Sequence, residues 1–149
     1  MNHKPDRGSI SKIVVVAAFA YLCAAVACER DMRIALTNDS NPPSFKLSGS
    51  GRLFFFSVSE VSPGKPSSIN DAAMWEVRPT AEDRISKLTE ITYGVVPPGF
   101  SQTAPKIGTP PPLLEGKFYE AGGPGLEANG GSIRFTIKGG KAVVVSSEH

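Results

Sequence analysis

Cysteine and histidine are scarce in this sequence of 149 residues, which holds two of each. Cys23 lies inside an apolar stretch that Cys28 ends, so a chain beginning at Cys28 has no second cysteine with which to form an internal disulfide. Downstream of that point the only histidine is His149, the last residue, where no third group is expected to hold an imidazole for serine–histidine or cysteine–histidine catalysis. A clustered zinc site is not expected either.

Motifs that bind phosphate or calcium are also lacking. No glycine-rich loop follows a strand and opens a helix, so the glycine-rich stretch Ala121 to Gly131 does not fit a phosphate cradle. The alternating acids of a calcium-binding loop are absent as well. We therefore predict no cofactor and no metal.

The chain lacks an excess of charge once its N-terminal segment is set aside. The formal net charge of +2 arises there, because Lys4, Arg7 and Lys12 outweigh Asp6. Removing residues 1–27 takes three of the 16 basic and one of the 14 acidic residues, which leaves 13 of each among 122 residues. A neutral domain without a basic patch makes nucleic acid a poor candidate partner.

Only one long hydrophobic run is present, Ile13 to Cys28 (IVVVAAFAYLCAAVAC), and three positive residues precede it. It is shorter than the roughly 20 apolar residues that a spanning helix needs. A positive start, a short apolar core and small residues at the exit are typical of a secretory signal peptide. We therefore predict a signal peptide over residues 1–27, helical in its apolar part.

The exit of that segment is compatible with two kinds of processing. Ala25-Val26-Ala27 fits ordinary signal cleavage, which would leave Cys28 as the first residue of a freely secreted domain. Ala25-Val26-Ala27-Cys28 also resembles the bacterial lipobox, in which the cysteine is lipidated and becomes the new N-terminus. A lone thiol in an oxidising compartment has no internal partner. We therefore predict that Cys28 carries the lipid.

The leader, the length of the remaining chain and the stretch Ile91 to Phe100 (ITYGVVPPGF) together resemble the small lipoproteins of bacterial envelopes, which have no assigned activity. The resemblance implies anchoring on the extracytoplasmic side of a membrane, with residues 28–31 as a short tether and residues 32–149 as one domain. Beyond the membrane, an envelope protein or a polysaccharide would be the partner.

Glycine and proline are abundant, 15 and 13 residues, which suits a chain with many turns. About eight short segments alternate apolar and polar residues or form short apolar runs between turn signals. No segment is long enough for the helical crossovers that parallel strands require. We therefore predict an all-β fold, an antiparallel β-sandwich or a small barrel. The clearest strands are Met32–Thr37, Ala73–Arg78, Lys117–Glu120 and Ser132–Lys138.

Two glycine-containing loops predict hairpins. Gly139-Gly140 separates two alternating runs, a strong signal for a two-residue hairpin loop. Gly49-Ser50-Gly51 separates Ser44–Leu47 from Arg52–Val61 and predicts a second hairpin. The run Leu53-Phe54-Phe55-Phe56 is apolar on both faces, which indicates a central strand.

Three further predictions concern side chains and loops. Phe54, Phe56 and Trp75 should lie in the core. Thr80-Ala81-Glu82-Asp83 would either cap a short helix or continue as a loop. The stretch Ala121 to Gly131 should be a mobile surface loop.

Carboxylates are the remaining side chains that could catalyse a reaction. A glycosidase needs two of them roughly 5–10 Å apart, but most such side chains are solvated residues on strand faces. We therefore predict no enzymatic activity, and a carboxylate-based hydrolase stays as the weaker alternative. The acids concerned are Glu60, Glu76, Glu82, Asp83, Glu90, Glu115 and Glu120.

The predicted binding surface surrounds the Pro97-Pro98-Gly99 turn, a combination typical of a type II turn that ends at Phe100. Prolines make this turn rigid, and Gly94 leaves space beside Tyr93 for a ligand or another backbone. Tyr93 and Phe100 would supply apolar area. In the alternative interpretation the same turn is a hydrophobic plug at the end of a sandwich. The other aromatic residues with the same ambiguity are Trp75, Phe118 and Tyr119.

Overall fold

The computed structural model describes residues 32–49, 51–64, 72–81, 90–126 and 129–145. In these ranges the chain forms eleven strands and no helix. The predicted signal peptide and its helix (1–27), the tether (28–31) and Glu82-Asp83 lie outside the described residues. The strands are β1 (Arg33–Asn38), β2 (Ser44–Ser48), β3 (Arg52–Leu53), β4 (Phe56–Val61), β5 (Ala73–Pro79), β6 (Ile91–Thr92), β7 (Phe100–Ala104), β8 (Phe118–Gly123), β9 (Gly125–Leu126), β10 (Gly131–Lys138) and β11 (Lys141–Val144).

The strands of the described residues form two main antiparallel sheets and one short pair. The larger sheet has six strands in the order β11-β10-β8-β4-β5-β7. The smaller sheet has three strands in the order β1-β2-β6, and β3 pairs with β9. Every pairing between these strands is antiparallel.

The core lies between the two main sheets. Phe45 of the small sheet packs against Phe56 and Phe135 of the large sheet, with ring centroids 5.7 and 5.5 Å apart. All three rings are fully buried. The all-β antiparallel prediction is therefore confirmed, with more strands than expected because several are only two residues long.

Local patterns predicted several elements correctly. Met32 is buried, and Ile34 and Leu36 pack against the core from β1. Trp75 and Val77 are buried on the inner face of β5. The hairpin predicted at Gly139-Gly140 is present between β10 and β11. Lys138 pairs with Lys141, and both glycines have positive φ, as a tight two-residue turn requires.

The hairpin predicted around Gly49-Ser50-Gly51 is wrong. Strand β2 pairs with β1 and β6, whereas β3 pairs with β9 and β4 pairs with β5 and β8. Gly49 and Gly51 have φ values of 117° and 101°, and the chain passes from β2 of the small sheet to β3, which belongs to the short pair with β9. A glycine loop permits a reversal but does not select the strand's partner.

The predicted strand from Arg52 to Val61 is interrupted, because β3 ends at Leu53 and β4 begins at Phe56. Strand β4 is central in the six-stranded sheet, as expected. Phe56 and Trp75 are fully buried, but Phe54 is 46% exposed, so its predicted burial is wrong. The interruption explains this: where the regular pleat stops, successive side chains no longer alternate between core and solvent.

The stretch Ala121 to Gly131 is not the predicted surface loop. It completes β8, contains β9 and begins β10, with residues 127–128 outside the described ranges. Its glycines serve close packing: a side chain on Gly123 would collide with the Phe55 carbonyl, and one on Gly131 with the Met32 carbonyl. Glycine allows such close backbone approach because it has no Cβ.

Residues 105–117 form a strandless segment, termed here the closing segment, that crosses one end of the sandwich. It leaves β7 at one edge of the large sheet and reaches the turn at the other edge, where Gly139 N–H and Gly140 N–H donate to the Glu115 carboxylate. Leu113 is buried in the core, and its carbonyl accepts a hydrogen bond from Asn41 Nδ2. This end, which we term distal, is thus covered by the chain itself.

Candidate functional site

The turn at the centre of the predicted surface has the expected geometry. Phe100 N–H donates to the Pro97 carbonyl over 3.1 Å, and Gly99 at the third position has a φ of 79°. Proline at the second and glycine at the third position, with this hydrogen bond, define a type II turn. The turn is tied to β5, because Thr80 N–H donates to the Gly99 carbonyl over 2.8 Å.

The two aromatic rings of the predicted surface are buried. Tyr93 is 5% exposed and Phe100 is 8% exposed, and both belong to the core cluster. The Tyr93 ring meets Trp75 edge-on with centroids 5.6 Å apart. Tyr119 is also fully buried, and Phe118 is half-buried. Tyr93, Phe100 and Tyr119 therefore offer no open aromatic surface to a ligand, because the domain's own core covers them.

The Tyr93 hydroxyl is used inside the domain. It donates a hydrogen bond of 2.7 Å to the carbonyl oxygen of Pro111 in the closing segment. Burial, with a smaller contribution from nearby Tyr119, raises the pKa of Tyr93 from 10.0 to about 12. The phenol is therefore protonated at neutral pH and serves as a donor.

The space beside Gly94 is filled by the chain. Gly94 has a φ of 79°, and a Cβ placed on it would lie 3.3 Å from Pro110 Cγ. Pro110 thus occupies the gap that was predicted for a ligand. The surface that remains around the turn is apolar and small, formed by the exposed Val95, Val96, Pro98 and Gly99.

A second surface, not anticipated from the sequence, combines aromatic rings with an arginine. The Arg78 guanidinium lies over the rings of Phe54 and Phe55, 5.3 and 5.5 Å from their centroids. Phe54 is 46% exposed and the Arg78 side chain is 44% exposed. We term Phe54, Phe55, Glu76 and Arg78 the aromatic–arginine patch.

Glu76 holds this patch in one arrangement. Its Oε1 accepts hydrogen bonds from Arg78 Nε over 2.8 Å and from Thr103 Oγ1 over 2.6 Å. Arg78 is thereby fixed from one side by a carboxylate and from the other by two rings, which limits the freedom lost on binding. Exposed aromatic and arginine side chains are the types enriched where proteins bind partners.

Part of this patch could have been found in the sequence. Alternation in β5 does place Glu76 and Arg78 on the face opposite Trp75. Phe54 and Phe55 were assigned to the core because four apolar residues in a row suggest a strand buried on both faces. The break in the strand at these residues has no local signal.

The carboxylates of the described residues are engaged in contacts between strands and turns. Two glutamates form ion pairs, Glu60 with Lys117 and Glu120 with Arg134. Three others accept hydrogen bonds: Glu90 from Thr37, Glu115 from two backbone N–H groups, and Glu76 from Arg78 and Thr103. The hydrogen bond to Glu60 raises the pKa of Lys117, because it favours the charged ammonium group. These contacts indicate that the five glutamates help to hold strands and turns together, and Asp39, the sixth acid of the described ranges, pairs with Lys141. Glu82 and Asp83 lie outside the described ranges.

Two further searches of the described residues gave negative results. No group of three or more histidine, cysteine or acidic residues there could hold a metal ion. Those ranges also contain no helix long and apolar enough to cross a membrane.

Cys28 lies outside the described residues, but Met32, four positions later, is already part of the sandwich. Met32 is 3% exposed, and its N–H donates to the Asn129 carbonyl over 3.1 Å. The chain is thus attached to the sandwich from the fourth residue after Cys28 onward.

In comparisons with known proteins, no family model, no curated protein and no solved structure matches this chain.

Proposed function

We propose that this chain is a lipoprotein of the bacterial envelope, an extracytoplasmic β-sandwich module anchored through a lipid on Cys28, with a binding or structural role and no catalysis. One observation carries the proposal. Cys28 closes the signal-like segment and precedes by four positions Met32, a residue buried in the core of the described sandwich.

The spacing of Cys28 and Met32 suits an anchor. All strands of the described residues lie downstream of Cys28, so cleavage before Cys28 would keep every one of them in the mature chain. It also leaves one cysteine without an internal partner in a compartment where free thiols oxidise. Acylation would convert that thiol to a thioether and so protect it from oxidation.

A binding or structural role is supported over hydrolysis by the contacts of the acidic side chains. Hydrolysis by carboxylates requires two of them to converge on a shared cleft with room for substrate. Glu76 and Glu120 instead each hold an arginine at 2.8 Å, and Glu115 holds the turn between β10 and β11. The aromatic–arginine patch supplies a rigid, partly exposed surface suited to contact with a partner.

The anchoring test is the intact mass of the protein made with its full leader in a bacterial host. We expect a chain that begins at Cys28 with the added mass of a diacylglyceryl group, recovered with membranes. Cys28→Ser should abolish both the modification and the membrane recovery. Cys23→Ser is the matched control, since it lies in the apolar stretch of the same leader and should be processed like the parent.

Two other results would decide against the proposal. An unmodified chain beginning at or near Cys28 and recovered in the soluble fraction would identify a freely secreted domain. Glycoside hydrolysis that is lost in Glu→Gln variants would identify a carboxylate-based hydrolase.

A further inference from the structure

The aromatic–arginine patch lies at the end of the sandwich where the chain enters. Phe54 N–H donates to the Pro124 carbonyl over 3.2 Å, and β3 just before it pairs with β9 just after Pro124. The same segment leads to Asn129, whose carbonyl accepts from Met32. We term this end tether-proximal.

The pairing of the long strands agrees with that placement. Gly131, which packs on the Met32 carbonyl, pairs with Gly123, which packs on the Phe55 carbonyl. Strand β4 starts at this end with Phe56, which pairs with Val77, the neighbour of Arg78. The patch and the start of β1 therefore share one end of the domain, opposite the closing segment.

The tether is too short to let this end leave the membrane. Cys28 and Met32 are separated by four residue steps, which span at most about 14 Å when fully extended. The headgroup region alone takes up several ångströms of each side of a bilayer. A lipid on Cys28 therefore holds the tether-proximal end against the headgroups, and little room remains there for a protein partner.

The side chains at this end suit that position. Phenylalanine is one of the residue types that segments lying at a membrane surface bury at the boundary between headgroups and acyl chains, and Phe54 is the exposed large apolar residue of the patch. Arg78 stands beside it, but its ion pair with Glu76 leaves the patch itself without net charge. The positive charge at this end comes from Arg33, the residue after Met32, which is exposed. Arginines near a bilayer surface are attracted to anionic lipids.

We propose that the aromatic–arginine patch docks on the headgroup region of an anionic phospholipid bilayer, with Phe54 at the level of the headgroups and Arg33 and Arg78 facing lipid phosphates. The proposal rests on the anchoring through Cys28. It adds an orientation: the tether-proximal end faces the bilayer, and the distal end with the closing segment faces away from it.

The test uses the lipidated full-length mature protein on phosphatidylglycerol vesicles that contain a nitroxide-labelled lipid, which quenches tryptophan at headgroup level. Phe54→Trp introduces the probe in the patch and retains an aromatic partner for Arg78. Leu114→Trp is the matched control, because Leu114 is 52% exposed at the distal end. The parent, whose single tryptophan, Trp75, is fully buried, sets the background.

We expect loss of most of the added emission for Phe54→Trp, a blue shift of what remains, and no quenching for Leu114→Trp. Quenching should weaken on phosphatidylcholine vesicles and in high salt, because the arginines then lose their attraction to the surface. Equal quenching of both probes, or quenching of Leu114→Trp alone, would overturn the orientation. Equal quenching of Phe54→Trp on neutral and anionic vesicles would overturn the role of the arginines.

The same samples separate failure of this inference from failure of the anchoring proposal. If the mass shows the acyl group and the protein floats with vesicles but Phe54→Trp is not quenched, the anchor stands and the docking is wrong. If neither the acyl group nor flotation is found, the anchor is wrong and the docking falls with it.

Discussion

The hydroxyl of Tyr93 donates a hydrogen bond to the carbonyl oxygen of Pro111, 2.7 Å away. Tyr93 follows β6 of the small sheet, and Pro111 belongs to the closing segment that leaves the large sheet. The bond therefore joins the part of the chain that covers the distal end to the aromatic core beneath it.

Tyr93→Phe should lower the free energy of unfolding by about 0.5–1.5 kcal/mol, the usual net contribution of one hydrogen bond. The ring and its edge-on contact with Trp75 are kept, so the loss reports the hydroxyl. Urea unfolding followed by Trp75 fluorescence measures it. Unchanged stability in Tyr93→Phe would mean that water replaces the phenol at Pro111 without cost.

The stability of the parent should fall between about pH 10 and about pH 12. The pKa of Tyr93 is about 12 in the folded domain and 10.0 in its ordinary range, so the unfolded chain releases the phenol proton first. The contribution of Tyr93 to stability is therefore complete below pH 10 and is lost as the pH rises through the folded pKa. Urea midpoints at about pH 9 and about pH 11 measure the loss. Tyr93→Phe is the control for lysines, which titrate in the same range. An equal loss in this variant would contradict the assignment.

Phe56→Ala and Trp75→Ala should each cost about 3–5 kcal/mol, since both side chains are fully buried. Phe54 lies between β3 and β4 and is 46% exposed, so Phe54→Ala should cost only about 1 kcal/mol or less, through the lost contact with Arg78. Thermal unfolding of the three variants makes the comparison. A large loss for Phe54→Ala would show that its ring contributes to the core.

Gly123→Ala should destabilise the domain by roughly 3 kcal/mol or more, because the new methyl group must displace the backbone of the chain at Phe55. Gly108→Ala is the control: its φ of 85° is unfavourable for alanine, but no atom lies within 4 Å of the added Cβ. That strain alone should lower the free energy of unfolding of Gly108→Ala by about 1–2 kcal/mol. Chemical unfolding of both variants measures the difference, and equal losses would exclude the close approach of Gly123 to β4.

The sequence predicted the elements whose cause is local. Alternation at Met32, Ile34 and Leu36 predicted the inner face of β1, and Trp75 and Val77 that of β5. The Gly139-Gly140 and Pro98-Gly99 turns follow from backbone conformations that few residues other than glycine adopt. Strand β7 after Phe100 was missed, because SQTA carries no apolar alternation and is a strand by virtue of its pairing with β5.

The candidate site was less predictable than the fold. Two interpretations of Tyr93 and Phe100 were open, an exposed binding surface and a hydrophobic plug, and both side chains are buried in the core. Tyr93 contacts Trp75 of β5 and Pro111 of the closing segment, which are distant from it in the sequence. The aromatic–arginine patch brings Phe54 and Phe55 together with Arg78, more than twenty positions away, so no local sequence pattern predicts it.

By itself the sequence determined the all-β class and the turns, and it predicts a signal-like leader that ends at Cys28, since charge, hydrophobic period and permitted φ are properties of neighbouring residues. Only the tertiary structure decided that β2 turns away from β4, that the glycines at 122, 123 and 131 bring backbones together, and that Phe54 faces solvent while Tyr93 does not. Those outcomes depend on which distant strands meet, because burial and close approach are set by atoms from other parts of the chain.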